Sequence, residues 1–224
     1  MIPLSPERIG ELLQPYIAGV EGSSPVEWPR VFEQLAAYLD LLLKWNARLN
    51  LTAIRSPEEI VQRHFGESIF AGLYLECSTW DIRDSEAPSL LDFGSGAGFP
   101  GLPIQILWPE LLVTLAEARQ RKAAFLREAV RTLALPTEVW AERVEKMPGT
   151  RRFSVVTLRA VDHMEEAVVA AAVRARERLL ILGTRAATYP ALAEAFTGPE
   201  LMPIPQSNDG VLMIYRQHDP SVGS

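Results

Sequence analysis

The chain has 224 residues, 48% hydrophobic content and a formal net charge of −6 at pH 7, which is enough for one sizeable core. No stretch approaches the roughly 18 apolar residues that a membrane helix needs, and the N-terminus does not resemble a secretory signal. One cysteine and three histidines exclude an intramolecular disulfide and argue against a zinc site. We therefore expect a cytoplasmic protein without a membrane partner or a bound metal.

Charge is distributed unevenly along the chain. Residues 119–185 carry a net charge of +6, whereas the remainder carries −12. A segregated surface of this kind can present a basic face to an anionic partner. The alternative is that the cations between Arg119 and Arg131 form only the solvated side of a helix.

The first third of the sequence is typical of helices. Apolar residues recur at helical spacing over residues 31–50. A second helix is predicted to begin after Ser56, with Pro57 at its first position and Glu59 completing a capping box. Further along it, Gly66 should weaken the helix by roughly 1 kcal/mol relative to alanine.

From residue 89 onward, short apolar runs alternate with helical stretches. This alternation predicts an α/β fold with a mostly parallel sheet covered by helices. We predict seven strands, the last two forming an antiparallel hairpin around the turn SNDG, and a helix over residues 189–196. Residues 77–88 are predicted to connect an N-terminal helical extension (1–76) to the α/β domain (88–218).

The stretch LLDFGSGAGFPG contains the end of the first predicted strand and the glycine-rich loop that leads from it into a helix. It contains Asp92 and the closely spaced glycines Gly94, Gly96 and Gly98. Such a loop predicts a tight turn whose backbone amides approach a ligand. Glu117 ends the next strand, where a carboxylate can accept both ribose hydroxyls of a nucleoside.

Two ligand classes fit these features, namely S-adenosylmethionine and a dinucleotide. The spacing GSGAG departs from the dinucleotide fingerprint G-x-G-x-x-G, and a seven-stranded sheet with a terminal hairpin favours the methyl donor. A tight turn without any ligand is the third possibility.

Four segments together resemble a known family. They are LLLKWNARLNLTAIRSPEEIVQRHFGES, LLDFGSGAGFPGLPI, RVEKMP and VVTLRAV, and they are similar to those of the bacterial RsmG/GidB methyltransferases. The resemblance covers about residues 30–185. It implies the class I, Rossmann-like methyltransferase fold, the cofactor S-adenosylmethionine, and methylation of guanine N7 in 16S ribosomal RNA, with the RNA or the small ribosomal subunit as partner of a monomer.

The resemblance also implies roles for individual residues. Those expected to bind the cofactor are Asp92, Gly94, Gly96, Gly98, Phe99, Glu117, Val144, Glu145 and Arg159. Phe99 could instead belong to the core, and Glu145 to a solvated helix end. Arg159 matches the arginine of the family's SRA motif and is expected to position the reacting groups. Those expected to bind RNA are His64, Arg119, Arg121, Lys122 and Arg185.

Three places depart from the family's pattern. In the segment around His64, the family has aspartate where this chain has Glu67. At the end of the fifth strand, the family has a Lys-Gly pair where this chain has Leu182-Gly183. The family also tends to carry arginine or histidine in its last hairpin, where this chain keeps only Arg216. His64 could line the substrate cleft, or it could brace the helical extension against the sheet.

The in-plane lone pair of guanine N7 can attack the sulfonium methyl group directly, so no general base is expected. The catalytic task is then to place the two groups in contact and to exclude water. Two alternatives stay open, a methyltransferase of this fold with another acceptor and a non-catalytic RNA-binding protein.

Overall fold

The computed structural model describes residues 4–18, 26–77 and 88–218; most of the predicted connection, residues 78–87, lies outside them. The helices are α1 (Pro6–Ile17), α2 (Trp28–Leu49), α3 (Pro57–Ile60), α4 (Glu67–Cys77), α5 (Gly101–Leu107), α6 (Gln120–Thr132) and α7 (Met164–Ala172). The strands are β1 (Ser89–Phe93), β2 (Leu112–Ala116), β3 (Glu138–Trp140), β4 (Phe153–Arg159), β5 (Ala175–Thr184), β6 (Phe196–Pro203) and β7 (Gly210–Gln217). None of the described helices is long and apolar enough to cross a membrane.

The seven strands form one sheet in the order β3-β2-β1-β4-β5-β7-β6. The first five pair in parallel, and β7 pairs antiparallel with both β5 and β6. This confirms the predicted α/β class, the mostly parallel sheet and the terminal hairpin. From β1 the chain adds β2 and β3 on one side and then β4 and β5 on the other, so the strand order reverses between β1 and β4. Ligands of such folds bind at the carboxyl ends of the strands beside this reversal.

The predicted helix over residues 189–196 is wrong. Only a 3₁₀ turn forms, over Pro190–Leu192, and β6 already begins at Phe196. Leu192 and Phe196 are both buried, and their spacing of four residues is also that of a helix. Phe196 instead pairs with Gln217 on β7, and this pairing makes the segment a strand rather than a helix.

Unequal helical layers cover the two faces of the sheet. Leu90 of β1 belongs to a core that it shares with Tyr16, Tyr38 and Phe125, whereas the next residue, Leu91, faces a second core that contains Val168 of α7. The N-terminal helices therefore pack on the same face as α5 and α6. They complete the core of the α/β domain rather than standing apart from it.

The second predicted helix begins as expected. Ser56 Oγ accepts a hydrogen bond from the backbone N–H of Glu59, and Pro57 occupies the first turn. Between α3 and α4 the chain makes a wider π-helical turn over Val61–Gly66. This turn lies against α1, because the ring of Tyr16 fills the space beside Gly66.

A buried carboxylate fixes the start of the glycine loop. Asp92 is fully buried on β1; its Oδ1 accepts from Thr157 Oγ1 on β4 at 2.9 Å and its Oδ2 from the Gly101 N–H at 3.1 Å. Burial raises the pKa of Asp92 to about 6, although these hydrogen bonds oppose the shift. One side chain thus ties two central strands to the first residue of α5.

We expect Gly66→Ala to lower the free energy of unfolding by about 1–3 kcal/mol, the usual effect of overpacking. Helix propensity alone predicts that alanine would stabilise the protein, but a Cβ at this position would lie 2.6 Å from the Tyr16 ring. Urea denaturation measures the change. Gly149→Ala is the matched control, since a Cβ there meets nothing within 4 Å; a stabilised Gly66→Ala protein would contradict the packing argument.

Asp92 should also make stability depend on pH. The pKa of Asp92 is about 6 when folded and 3.8 as its reference value, so the native state holds the proton more tightly than the unfolded state does. Stability is then lost as the pH rises from about 4 to 6, by about 3 kcal/mol at 1.36 kcal/mol per pKa unit.

Denaturation of wild type and Asp92→Asn at several pH values tests this expectation. The difference in unfolding free energy, wild type minus variant, should fall between pH 4 and 6 and be flat above pH 7. Asp209→Asn, which changes an exposed carboxylate, should show no such fall. A difference that is constant from pH 4 to 7 would contradict the proposed titration.

Candidate active site at the carboxyl end of the sheet

A cleft of about 610 Å³ opens at the carboxyl ends of the central parallel strands. Gly94 follows β1, Glu117 follows β2, residues 142–145 follow β3, and residues 160–163 follow β4; all of them line it. The volume is in the range of pockets for ligands of nucleoside size. The sequence predicted this edge of the sheet from the alternation of strands and helices.

The glycine loop adopts a conformation that side chains disfavour. The backbone φ angles are +72° at Gly94, +59° at Gly96 and +95° at Gly98. At Gly98 a Cβ would also lie 2.5 Å from Leu102 and 2.7 Å from the hydroxyl of Tyr38. Glycine is therefore required at this position both for the turn and for the approach of the helical layer.

Glu117 closes the loop from the second strand. Its Oε2 accepts from the Gly96 N–H at 3.0 Å, and its Oε1 accepts from the Arg119 N–H at 2.7 Å. The carboxylate is 7% exposed and borders the cleft. Each oxygen keeps a further lone pair, so both can still accept a hydroxyl.

Two further predicted cofactor residues lie across the cleft from the loop. Val144 is buried and Glu145 is exposed, in the 3₁₀ turn Val144–Lys146. Both line the cleft. The structure thus brings together four of the predicted cofactor residues, namely Gly94, Glu117, Val144 and Glu145. Asp92 supports the loop from beneath.

Phe99 and Arg159 are not among the residues that line the cleft. Phe99 is 8% exposed and lies in an aromatic cluster with Tyr38 and Phe65, which agrees with the core alternative. Arg159, at the end of β4, points toward the helical layer. Its Nη2 donates to Glu67 Oε2 and to the carbonyl oxygen of Arg63, both at 2.7 Å.

Glu67 links the two arginines. Its other oxygen, Oε1, accepts from Arg63 Nε at 2.8 Å. Glu67 is 6% exposed, and a buried carboxylate without such partners would be strongly destabilising. Burial is the main cause that lowers the pKa of Arg159, and the Glu67 charge opposes it.

His64 lies beside this ion-pair network. Its ring stacks on Phe99 with centroids 4.6 Å apart, and its Nε2 lies 2.7 Å from Thr52 Oγ1. Burial, and then the charges of Arg159 and Arg63, lower the pKa of His64 to about 3. The imidazole is therefore neutral at physiological pH. It braces the helical layer against the glycine loop and is not among the residues that line the cleft.

The predicted RNA-binding cations are divided between two places. Arg119 and Lys122 line the cleft, and Arg119 pairs with Asp162 at 2.7 Å. Arg121 is exposed on α6. Arg185 is exposed at the end of β5, where its N–H donates to the Asp209 carbonyl in the hairpin turn, outside the cleft lining.

Sequence reasoning missed several residues that shape the site. Tyr38 donates its hydroxyl proton to the Ala97 carbonyl in the glycine loop, and Thr52 holds His64. Glu67 was noted only as a departure from the family's aspartate. Thr52 lies in the first of the segments that resemble the family, LLLKWNARLNLTAIRSPEEIVQRHFGES, whereas Tyr38 lies just before that segment on α2.

Comparison with known proteins identifies the relatives. The family model GidB, rRNA small subunit methyltransferase G, matches residues 31–194. Proteins called ribosomal RNA small subunit methyltransferase G match from Solibacter usitatus (40% identity, 67% of this chain and 69% of the relative) and Nitrosomonas europaea (39%, 59% and 58%). A Roseiflexus relative is 47% identical over 59% of this chain and 55% of its own. The matches thus span a little over half of the Nitrosomonas and Roseiflexus proteins.

Solved structures share the fold at low sequence identity. MtNAS in complex with MTA and tNA has a TM-score of 0.56, with 10% identity over 86% of this chain and 77% of that one. A Thermus thermophilus 16S rRNA methyltransferase (RsmC), in complex with AdoMet and guanosine, has a TM-score of 0.52, with 17% identity over 68% and 43%. The family match over residues 31–194 is the stronger finding, and it shows that the chain belongs to the GidB family of rRNA small subunit methyltransferases.

Proposed function

We propose that this protein transfers a methyl group from S-adenosylmethionine to guanine N7 in small-subunit ribosomal RNA. The observation that carries the proposal is the cleft at the point where the strand order reverses, which Gly94 and Glu117 line. Membership of the GidB family supports the reaction and the RNA class.

The cleft residues fit the donor. Glu117 offers a lone pair on each oxygen to the two ribose hydroxyls, since its present bonds to Gly96 and Arg119 use only one apiece. The turn around Val144 and Glu145 would border the adenine. The positive-φ backbone from Gly94 to Gly98 would hold the amino-acid part, as glycine loops do for polar and anionic groups.

Bound S-adenosylmethionine supplies a methyl group on a sulfonium sulfur. The guanine N7 lone pair forms the new N–CH₃ bond while the S–CH₃ electron pair returns to sulfur, so the positive charge passes to the purine. No proton has to leave N7 first. The chain's residues therefore need only to bind, align and exclude water, contributions that are together worth several kcal/mol.

RNA would approach over the cations beside the cleft mouth. Arg121 and Lys122 have no ion-pair partner within residues 4–18, 26–77 and 88–218, whereas Arg131 on the same helix pairs with Glu128 at 2.7 Å. Unpaired cations are free to neutralise phosphates. If the α6 cations formed only the solvated side of a helix, replacing Arg121 would leave the salt dependence of RNA binding unchanged.

The donor site can be tested by calorimetric titration with S-adenosylmethionine and its demethylated product. We expect micromolar dissociation constants for both, and about 10- to 100-fold weaker binding to Glu117→Ala, because hydrogen bonds to a carboxylate are worth about 1.5–3 kcal/mol. Glu110→Ala removes an exposed carboxylate outside the cleft and should bind normally.

Transfer of labelled methyl groups to small-subunit RNA, followed by chain scission at N7-methylguanine, tests the acceptor. Donor binding without such transfer would favour another acceptor or a non-catalytic RNA-binding role. In that case the first variant to make would be Leu182→Lys, which restores the lysine that the family has at this position.

Salt dependence tests the RNA surface. We expect log KM for RNA to rise linearly with log salt concentration, and Arg121→Ala to reduce that slope by about 0.7–0.9, the value for one lost phosphate contact. Arg131→Ala is the matched control, since Glu128 already neutralises that arginine. Equal slopes in all three proteins would exclude Arg121 from the interface.

A further inference from the structure

Two buried N–H groups face the seam between the helical layer and the end of β4. Arg159 Nη1 and His64 Nδ1 are both buried, and neither has a hydrogen-bond partner among the described residues. Buried polar atoms are nearly always paired in native proteins. Two orphans in neighbouring side chains therefore point to a ligand that pairs with them.

The proton on His64 can be placed from its neighbour. Thr52 Oγ1 accepts from the Ile54 N–H at 3.2 Å, and among the described residues its hydroxyl proton has no acceptor other than His64 Nε2, 2.7 Å away, so we assign Thr52 as the donor of this hydrogen bond. The ring is neutral and carries one proton. That proton is then on Nδ1, which makes the orphan atom a donor.

The guanidinium of Arg159 is fixed by its other contacts. Nη2 donates to Glu67 Oε2 and to the Arg63 carbonyl, both at 2.7 Å, which leaves Nη1 as the free arm of the fork. Arg63 and Glu67 flank His64 on one helical turn. Both orphan donors therefore belong to the same small region.

This region adjoins the glycine loop and is partly exposed, although the two orphan atoms themselves are buried. The His64 ring stacks on Phe99 at the end of the loop, and Arg159 ends the strand that pairs with β1. His64 is half-buried, and the Arg159 side chain is 13% exposed. To pair with them, the edge of a planar group would have to enter between the helical layer and the end of β4.

We propose that Arg159 Nη1 and His64 Nδ1 together bind the O6 carbonyl of the target guanine, and that Glu67 is the positioning residue for Arg159. This inference rests on the proposed function. O6 is adjacent to N7 on the purine, so two donors on O6 orient the base while the N7 lone pair stays free for the methyl group. A carbonyl oxygen has two lone pairs, which matches two donors.

Glu67 also suits the charge change of the reaction. The purine becomes cationic on methylation, and an isolated arginine beside O6 would oppose that change. The Glu67 carboxylate, 2.7 Å from Arg159, offsets the arginine charge while leaving its N–H groups in place. The other carboxylate oxygen holds Arg63, which is half-exposed and screened by water.

An alternative oxygen is the carboxylate of the methyl donor. Neither His64 nor Arg159 lines the donor cleft, which favours the base. Nuclear magnetic resonance of the histidine ring N–H groups distinguishes the two. The chain has three histidines, and His64→Phe, which keeps an aromatic ring against Phe99, assigns the signal of His64.

We expect the His64 Nδ1–H signal to shift when guanosine is added at millimolar concentration to protein saturated with S-adenosylhomocysteine. 2-Aminopurine riboside, which keeps N7 but lacks O6, should leave it in place. A shift caused by S-adenosylhomocysteine alone would assign the two donors to the donor's carboxylate and overturn the proposal, as would no shift with guanosine.

Methyl transfer supplies the second readout. Small-subunit RNA with 2-aminopurine at the target nucleotide should react at least 10-fold more slowly than RNA with guanine, and inosine, which keeps O6, should react like guanine. His64→Phe should reduce the guanine preference several-fold, whereas His218→Phe, at an exposed site, should not. Glu67→Gln should lower the same preference, and Glu67→Asp should restore part of it.

The possible outcomes distinguish a failure of the proposed base site from a failure of the proposed function. A guanosine-dependent shift without any methylation of small-subunit RNA would support the base site and refute the proposed function. Equal methylation of guanine and 2-aminopurine would support the function and refute the O6 site.

Discussion

The buried carboxylate of Asp92 is the constraint on which the rest of the site depends. It accepts from Thr157 on β4 and from the backbone of Gly101, so it fixes the spacing of the two central strands and the first residue of α5. The glycine loop is stretched between these anchors. If the anchor moved, the loop amides and the ends of β1 and β4 would no longer face one another.

The helical layer completes what the sheet alone leaves open. The Tyr38 hydroxyl bonds to the loop carbonyl of Ala97, and the rings of His64 and Phe99 stack. Glu67 meets Arg159 from the same layer. The N-terminal helices therefore contribute directly to the wall of the proposed acceptor site, in addition to the core they share with the sheet.

Local signals in the sequence were sufficient for much of the fold. Ser56 and Pro57 predicted a helix start because capping depends on residues within one turn, and the alternating runs predicted the parallel sheet. The position of Glu117 at the cleft could be predicted because it follows from a strand end; its role as a ribose ligand stays a prediction.

Contacts between distant segments were beyond such reasoning. The helix predicted for residues 189–196 failed because pairing with β7 outweighed local periodicity. The partners of His64, Glu67 and Phe99 depend on how the helical layer packs on the sheet. Gly66 shows the same limit, since only the Tyr16 ring beside it explains why alanine would not fit.

The two hydrogen bonds that Glu117 already makes have a consequence for turnover. Because Gly96 and Arg119 hold the carboxylate in place before any ligand arrives, binding need not pay the entropy of ordering the loop. In the proposed function, that preorganisation would serve the adenosine part, which the methyl donor and the demethylated product have in common. Under that proposal a rigid adenosine site would not by itself favour the donor over the product, so discrimination between the two would fall to the groups around the sulfur.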